Sequence, residues 1–193
     1  MPLLEYGDGT LVAESLDVIQ CIGENIGSDD AMYPADGTNR ARVDAFIDAF
    51  EDTIQGYYDF LTAYDEQSAE DGKLSFCHAL HNLAPLLDQG PFCLGDTFSI
   101  AECYAAPWVH RFHITPQYFR GATVQQVFRA TGDSDNNGRA AASARTVAAW
   151  MDAVLKRRSV QMTNGPEDYL LQSTRNYFVR YLSPNSPAVM QRE

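Results

Sequence analysis

Glu14 and Ser15 stand between a short apolar strand pattern, Leu11-Val12-Ala13, and a segment whose apolar residues recur at helical spacing. A helix start presents unpaired backbone N–H groups and the positive end of the helix dipole. Those amides and the Ser15 hydroxyl suit a ligand's carboxylate, while the Glu14 carboxylate suits its amino group. Together they suit a γ-glutamyl group. The plainer reading of the same pair is that Ser15 is only an N-cap and Glu14 a solvated acid. Pro2 precedes the first strand, and a cis bond at such a proline exposes neighbouring backbone groups to a ligand.

Other reactive side chains are spread along the chain. Cys21, Cys77, Cys93 and Cys103 include no CxxC pair. Cys21 falls inside a helical pattern, and Cys77 and Cys103 occupy apolar-patterned helical positions, which predicts buried thiols. Cys93 falls in a loop and is the one thiol to test for reactivity. Asp133, Asp135, Asn137 and Gly138 match the first half of a calcium loop. Its twelfth position is Ala144, where a bidentate Glu is required, so a solvated loop is expected. Cys77, His78 and His81 lie close together on one helix, but histidines three apart do not alone build a metal site. No metal is expected.

These residues need elements to position them. Leu3-Leu4, Gly7-Asp8-Gly9 and Leu11-Val12-Ala13 read as a hairpin over 2–15. Leu16, Ile19, Ile22 and Ile26 read as a helix that Gly27 ends. Residues 28–38, rich in Gly, Pro and Asp, read as a linker between a unit at 1–27 and a larger one at 39–193. Val43, Phe46, Ile47, Phe50, Ile54, Tyr57, Tyr58 and Leu61 mark one face of a long helix. A second helix is expected over 73–88, with Leu74, Cys77, Leu80, Leu83 and Leu87 inward and Gly90-Pro91 breaking it. Ser99-Ile100-Ala101-Glu102 is a capping box, with Phe98 placed as a staple, and starts a third helix to about Phe112 with a kink at Pro107. A fourth is expected near 143–157, with Val147, Trp150, Met151 and Val154 inward, and a last over 167–182. The polar stretch 131–142 reads as an insertion.

Of the 193 residues, 45% are hydrophobic and 21% charged, ordinary values for a globular protein. The formal net charge of -12 and the isoelectric point of about 4.6 argue against nucleic acid and anionic membrane surfaces as partners. No apolar run approaches the roughly 18 residues of a membrane span. The cysteine pattern favours a reducing compartment, so a soluble protein of the cytoplasm is expected, or of an organelle if a targeting segment precedes Met1.

Longer motifs carry a resemblance. Met1-Pro2-Leu3-Leu4-Glu5 through Gly9-Thr10-Leu11-Val12-Ala13-Glu14-Ser15 resembles the second half of the thioredoxin-like domain of glutathione transferases. Gly95-Asp96-Thr97-Phe98-Ser99-Ile100-Ala101-Glu102 resembles the capping-box motif of their helical domain, with Glu102 where Asp is usual. Pro107-Trp108-Val109-His110-Arg111-Phe112 is similar to the Pro-Trp-aromatic-Glu-Arg pattern of the omega class. Glu167-Asp168-Tyr169 and Tyr181-Leu182-Ser183-Pro184-Asn185-Ser186-Pro187 resemble that class's C-terminal end. The stretch at 131–142 departs from the pattern.

The resemblance implies a mainly α fold: a glutathione-transferase helical bundle preceded by a partial thioredoxin-like hairpin and helix. It implies glutathione as co-substrate, held by Glu14, Ser15 and the backbone of Met1, the residue before Pro2. Trp108 and Arg111 would face the pocket for a small electrophile. For Trp108 the competing reading is core packing, and for Arg111 a surface ion pair of small worth. The omega class works through a cysteine at a helix N-terminus, where the thiolate is stabilised. None of the four cysteines here is followed by Pro-Phe or Pro-Tyr, so the expectation is that this chain starts after that segment. Two functions follow: a glutathione transferase-like protein for thiol transfer or reduction, or a non-catalytic subunit acting in a homodimer or larger assembly.

Overall fold

The computed structural model describes residues 2–25, 32–35, 37–130 and 138–181. Met1, residues 26–31 with the expected helix end at Gly27 and the first part of the linker, residue 36, the stretch 131–137 and the tail from Leu182 lie outside the described residues, and with Met1 goes the bond to Pro2. Strands β1 (Leu3–Glu5) and β2 (Leu11–Ala13) form an antiparallel hairpin in which Leu4 faces Val12. The turn is closed by Gly9 N–H to Tyr6 O at 2.9 Å, with Gly9 at a φ of 86° that glycine adopts without penalty. Helix α1 (Ser15–Asn25) follows directly.

The bundle begins with α2 (Gly37–Thr62), whose buried face carries Val43, Phe46, Ile47, Phe50, Tyr57 and Leu61. It packs chiefly on α3 (Glu66–Leu83). That helix starts seven residues before the expected point and ends earlier. Asp65 accepts from Ser68 N–H at 2.7 Å while Ser68 Oγ accepts from Asp65 N–H at 3.1 Å, a reciprocal cap the apolar periodicity alone did not reveal. A 3-10 turn takes over at Ala84–Leu87, where Pro85 has no N–H to continue the α-helix, so the break precedes Gly90-Pro91.

Helix α4 (Ile100–Arg120) starts at the Ser99 box as the sequence predicts. It runs through Pro107 and Pro116 to end at Gly121, whose φ of 63° is the left-handed stop. The stop lies well beyond Phe112. A single turn, α5 (Val124–Val127), leads to α6 (Arg139–Lys156), which buries Val147, Trp150, Met151 and Val154. Then come α7 (Arg158–Thr163), which the periodicity does not predict, and α8 (Glu167–Tyr181). Phe46 meets Trp150 edge-on at 5.3 Å, and Phe76 meets Phe112 at 5.0 Å, so α2, α3, α4 and α6 share one aromatic core. Among the described residues no helix is long and apolar enough to cross a membrane.

Candidate functional site

The corner between β2 and α1 is built around Glu14. Its φ of 75° makes it the one non-glycine residue with positive φ among the described residues. That conformation costs an L-residue on the order of 1 kcal/mol or more, and such strain clusters at ligand sites. The first helical bond runs from Val18 N–H to Glu14 O at 3.0 Å. Glu14 therefore holds the N-cap position and Ser15 is the first helical residue, so the helix starts one place earlier than a Ser15 cap would start it. The amides of residues 15–17 have no acceptor within the helix, and the side chains of Glu14 and Ser15 are exposed. A carboxylate acceptor, a hydroxyl and open amides thus meet at the positive end of an 11-residue helix.

Packing fixes that corner against the bundle. A Cβ on Gly23 would lie 2.8 Å from Ile100 Cγ2 and 3.0 Å from Tyr33 Cβ, so glycine lets α1 rest on the start of α4. Ile100 N–H donates to Met32 O at 2.8 Å beside it. Arg40 reaches Glu24 at 2.8 Å and stacks 3.4 Å over the Tyr33 ring, while Tyr33 donates to Asp44 at 2.7 Å.

A cavity of about 490 Å³ opens along α4, between it, α7 and α8. That volume suits a small organic ligand. Its walls include Phe98, Cys103, His110, Arg111, Val160 and Leu170. Cys103, Pro107, His110 and Arg111 fall on one face because they lie about one and two helical turns apart. Arg111 Nη1 donates to Pro107 O at 2.8 Å, and its guanidinium sits 5.2 Å from the Trp108 ring. Burial, helped by the charges of Arg111 and His113, holds His110 below the ordinary imidazole range, so it is neutral at physiological pH. Trp108 is half-buried and packs edge-on against Tyr58 at 5.7 Å and Tyr57 at 6.1 Å, outside this cavity wall. Arg111 and Trp108 are neighbours in sequence, and the structure gives the cavity to the first and an aromatic cluster to the second. His110, Val160 and Leu170 carried no role in the sequence reading. The spacing of 103, 107, 110 and 111 was the available signal for His110; nothing local marked α7.

The family model for the glutathione S-transferase C-terminal domain matches residues 38–153. The chain belongs to that family. The matched span runs from the start of α2 into α6, the shell that carries the Ser99 box. In fold, the chain is similar to the crystal structure of glutathione transferase Omega 3C from Trametes versicolor. The TM-score is 0.65 at 22% identity, over 86% of this chain and 67% of that one. At that identity the likeness concerns the fold alone. No curated protein matches the chain.

Membership of a transferase family puts the thiols in focus. Cys93 is fully buried, contrary to its place in a loop. Burial, with the Glu102 carboxylate beside it, pushes its thiol up to about 12. Cys103 is pushed up to about 11 by burial and the same carboxylate, against the opposing charge of Arg157. Cys77 is buried in α3, and Cys21 lies mid-way along α1 against the Tyr6 hydroxyl, half-buried rather than enclosed. His81 Nε2 lies 3.2 Å from Phe128 O and His78 is exposed, so the Cys77-His78-His81 stretch spreads over three environments. No cluster of three or more metal-ligating side chains occurs among the described residues.

Proposed function

We propose that this chain is a glutathione transferase-like protein of omega type. Glutathione sits at the β2–α1 corner and a small electrophile beside Arg111 in the cavity along α4. The observation that carries the reading is the strained Glu14 ahead of the open amides of α1. The γ-glutamyl carboxylate is taken by those amides and the Ser15 hydroxyl, and its amino group by Glu14, with the Met1 backbone completing the contact. The hairpin–helix unit is residues 1–27, the linker 28–38 and the helical domain 39–193, and the place of action is the cytoplasm. The reaction class is glutathione-dependent thiol transfer or reduction.

A second reading, a non-catalytic subunit acting with a second copy or in a larger assembly, draws support from the thiols. Two are held protonated by burial, and a nucleophilic thiol needs the opposite environment. Calorimetric titration with glutathione separates the possibilities. Binding is expected, weakened about tenfold or more by Glu14→Gln and by Ser15→Ala. No heat, or binding that ignores both substitutions, sinks the corner as the site. Turnover of a mixed disulfide by the purified chain would sink the non-catalytic reading.

A further inference from the structure

A second, smaller cavity of about 270 Å³ lies between the later half of α4, the single turn α5 and α6. It shares no wall residue with the cavity along α4, α7 and α8. Space opens there because α6 presents Ala148 and Ala149 to it, side chains of one carbon each. Val124, Phe128 and Met151, all buried, give it an apolar floor. Two polar side chains meet across it from different helices, His113 on α4 and Asp152 on α6. His113 Nδ1 lies 2.9 Å from Val109 O, one turn back on its own helix. A carbonyl oxygen only accepts, so Nδ1 holds a proton, and in the neutral ring Nε2 is left as an acceptor. That edge of the ring is turned away from the α4 backbone, and Nε2 has no hydrogen-bond partner among the described residues. Asp152 Oδ2 meets Lys156 Nζ at 3.2 Å, but the lysine is 76% exposed, and such a pair is weak. No lysine or arginine lines the wall itself.

We propose that this cavity binds a small organic cation, a single apolar ring bearing an amidinium or primary ammonium group. The cation lies between Asp152 and His113 Nε2, and the ring rests against Val124, Phe128 and Met151. This site is independent of the β2–α1 corner and of the cavity beside Arg111. Two acceptors facing one another match a group with at least two N–H donors, and the carboxylate makes one of those bonds charge-assisted. A ligand carboxylate would instead meet two acceptors. The volume limits the body to about one ring, below the size of a drug-like ligand. The net charge of -12 draws cations to the whole surface, an effect that salt reduces, so specificity has to come from the two wall groups.

Amide-detected NMR titration of the full chain with a matched pair of probes tests this. Benzamidine carries the cation, and benzamide is its neutral isostere. Benzamidine is expected to bind about fivefold or more tighter and to shift the amides around His113, Gln125 and Asp152. Asp152→Asn is expected to remove the preference, and His113→Phe to weaken benzamidine severalfold. Lys156→Gln frees the carboxylate from its competing ammonium and is expected to tighten benzamidine. Asp48→Asn, which removes one exposed acid from the middle of α2, is the reference and is expected to change neither probe. Ala149→Trp fills the cavity from its exposed rim, so the core packing is spared and binding of both probes is lost. Equal affinity for the two probes overturns the proposal. So does a preference that survives Asp152→Asn in a variant with the parent's circular dichroism, or one that Asp48→Asn reduces as much, which would mark bulk attraction to an acidic surface. Benzamidine binding that persists in Ala149→Trp, or that shifts only amides away from this cavity, overturns it as well. Glutathione affinity is expected to be the same in Asp152→Asn as in the parent, so the outcome at this cavity is read separately from that at the corner.

Discussion

Glu102 shows how one side chain ties distant segments together. It is fully buried, and its carboxylate accepts four neutral donors. These are Ser99 N–H and Ser99 Oγ at 3.0 Å, Cys93 N–H at 2.7 Å and Trp150 Nε1 at 3.3 Å. The capping contact was legible in the sequence because its partners are three residues apart. The other two were not, since Cys93 is 9 residues away and Trp150 is 48, and no local pattern encodes such pairs. That is also why Cys93 read as an open loop residue: the clamp that buries it comes from α4. Glu102→Gln replaces one acceptor oxygen with a donor facing donors, and is expected to cost about 2–4 kcal/mol in urea unfolding. The same variant is expected to raise the alkylation rate of Cys93 at pH 8, where the parent thiol, pushed up to about 12, stays protonated. The sign of the pH dependence follows. A thiol raised in the folded state does not affect stability below its ordinary value, and it lowers stability as pH climbs from there toward 12. Rapid alkylation of parent Cys93 at pH 8 would contradict the clamp.

Helix pairing in the bundle depends on glycines that propensity alone would mark as weak points. A Cβ on Gly72 of α3 would stand 2.5 Å from Phe60 N. One on Gly56 of α2 would stand 2.7 Å from the Phe76 backbone. Both collisions are with backbone, so no side chain can swing aside. Helix propensity favours alanine over glycine by about 1 kcal/mol, so an exposed Gly→Ala change stabilises. At Gly72 the contact term wins, because α2 and α3 would have to separate and lose packing over their whole length. Gly72→Ala is therefore expected to destabilise by about 2–3 kcal/mol in urea unfolding, and a neutral or stabilising result would mean the helices approach less closely. At this scale the fold was largely legible. The apolar faces of α2, α4, α6 and α8 follow a 3.6-residue period that survives any tertiary detail. What escaped were the ends and the short turns. The start of α3 rests on a polar cap, its end on Pro85, and α5 and α7 hold 4 and 6 residues, too few for a period to register.

Across the whole molecule, stability is distributed unevenly between the hairpin–helix unit and the bundle. Helix α1 has no fully buried residue, and Leu3 and Leu11 on one face of the hairpin are 61% and 58% exposed. The bundle holds the aromatic core, with Phe46, Phe50, Phe76, Phe112 and Trp150 all at 1% exposure or less. The unit is held to the bundle by half-buried Leu16 and Ile19, the Gly23 contact and the Arg40–Glu24 pair. Regions with little buried apolar surface open at lower free energy than the core they sit on. In native-state hydrogen exchange the amides of β1, β2 and α1 are therefore expected to open before those of α2, α3 and α4, and to share one opening free energy. Gly23→Val pushes α1 off Ile100 and Tyr33, so it is expected to lower protection in that unit and leave the slowest bundle amides unchanged. The consequence for function is direct: the Glu14–Ser15 corner belongs to the less stable unit, so a ligand seated there stabilises it by binding only its closed form. Added glutathione is then expected to raise protection in β2 and α1 selectively. Uniform protection throughout the chain, with or without the ligand, would show instead that the two parts unfold as one and that the corner gains nothing from occupancy.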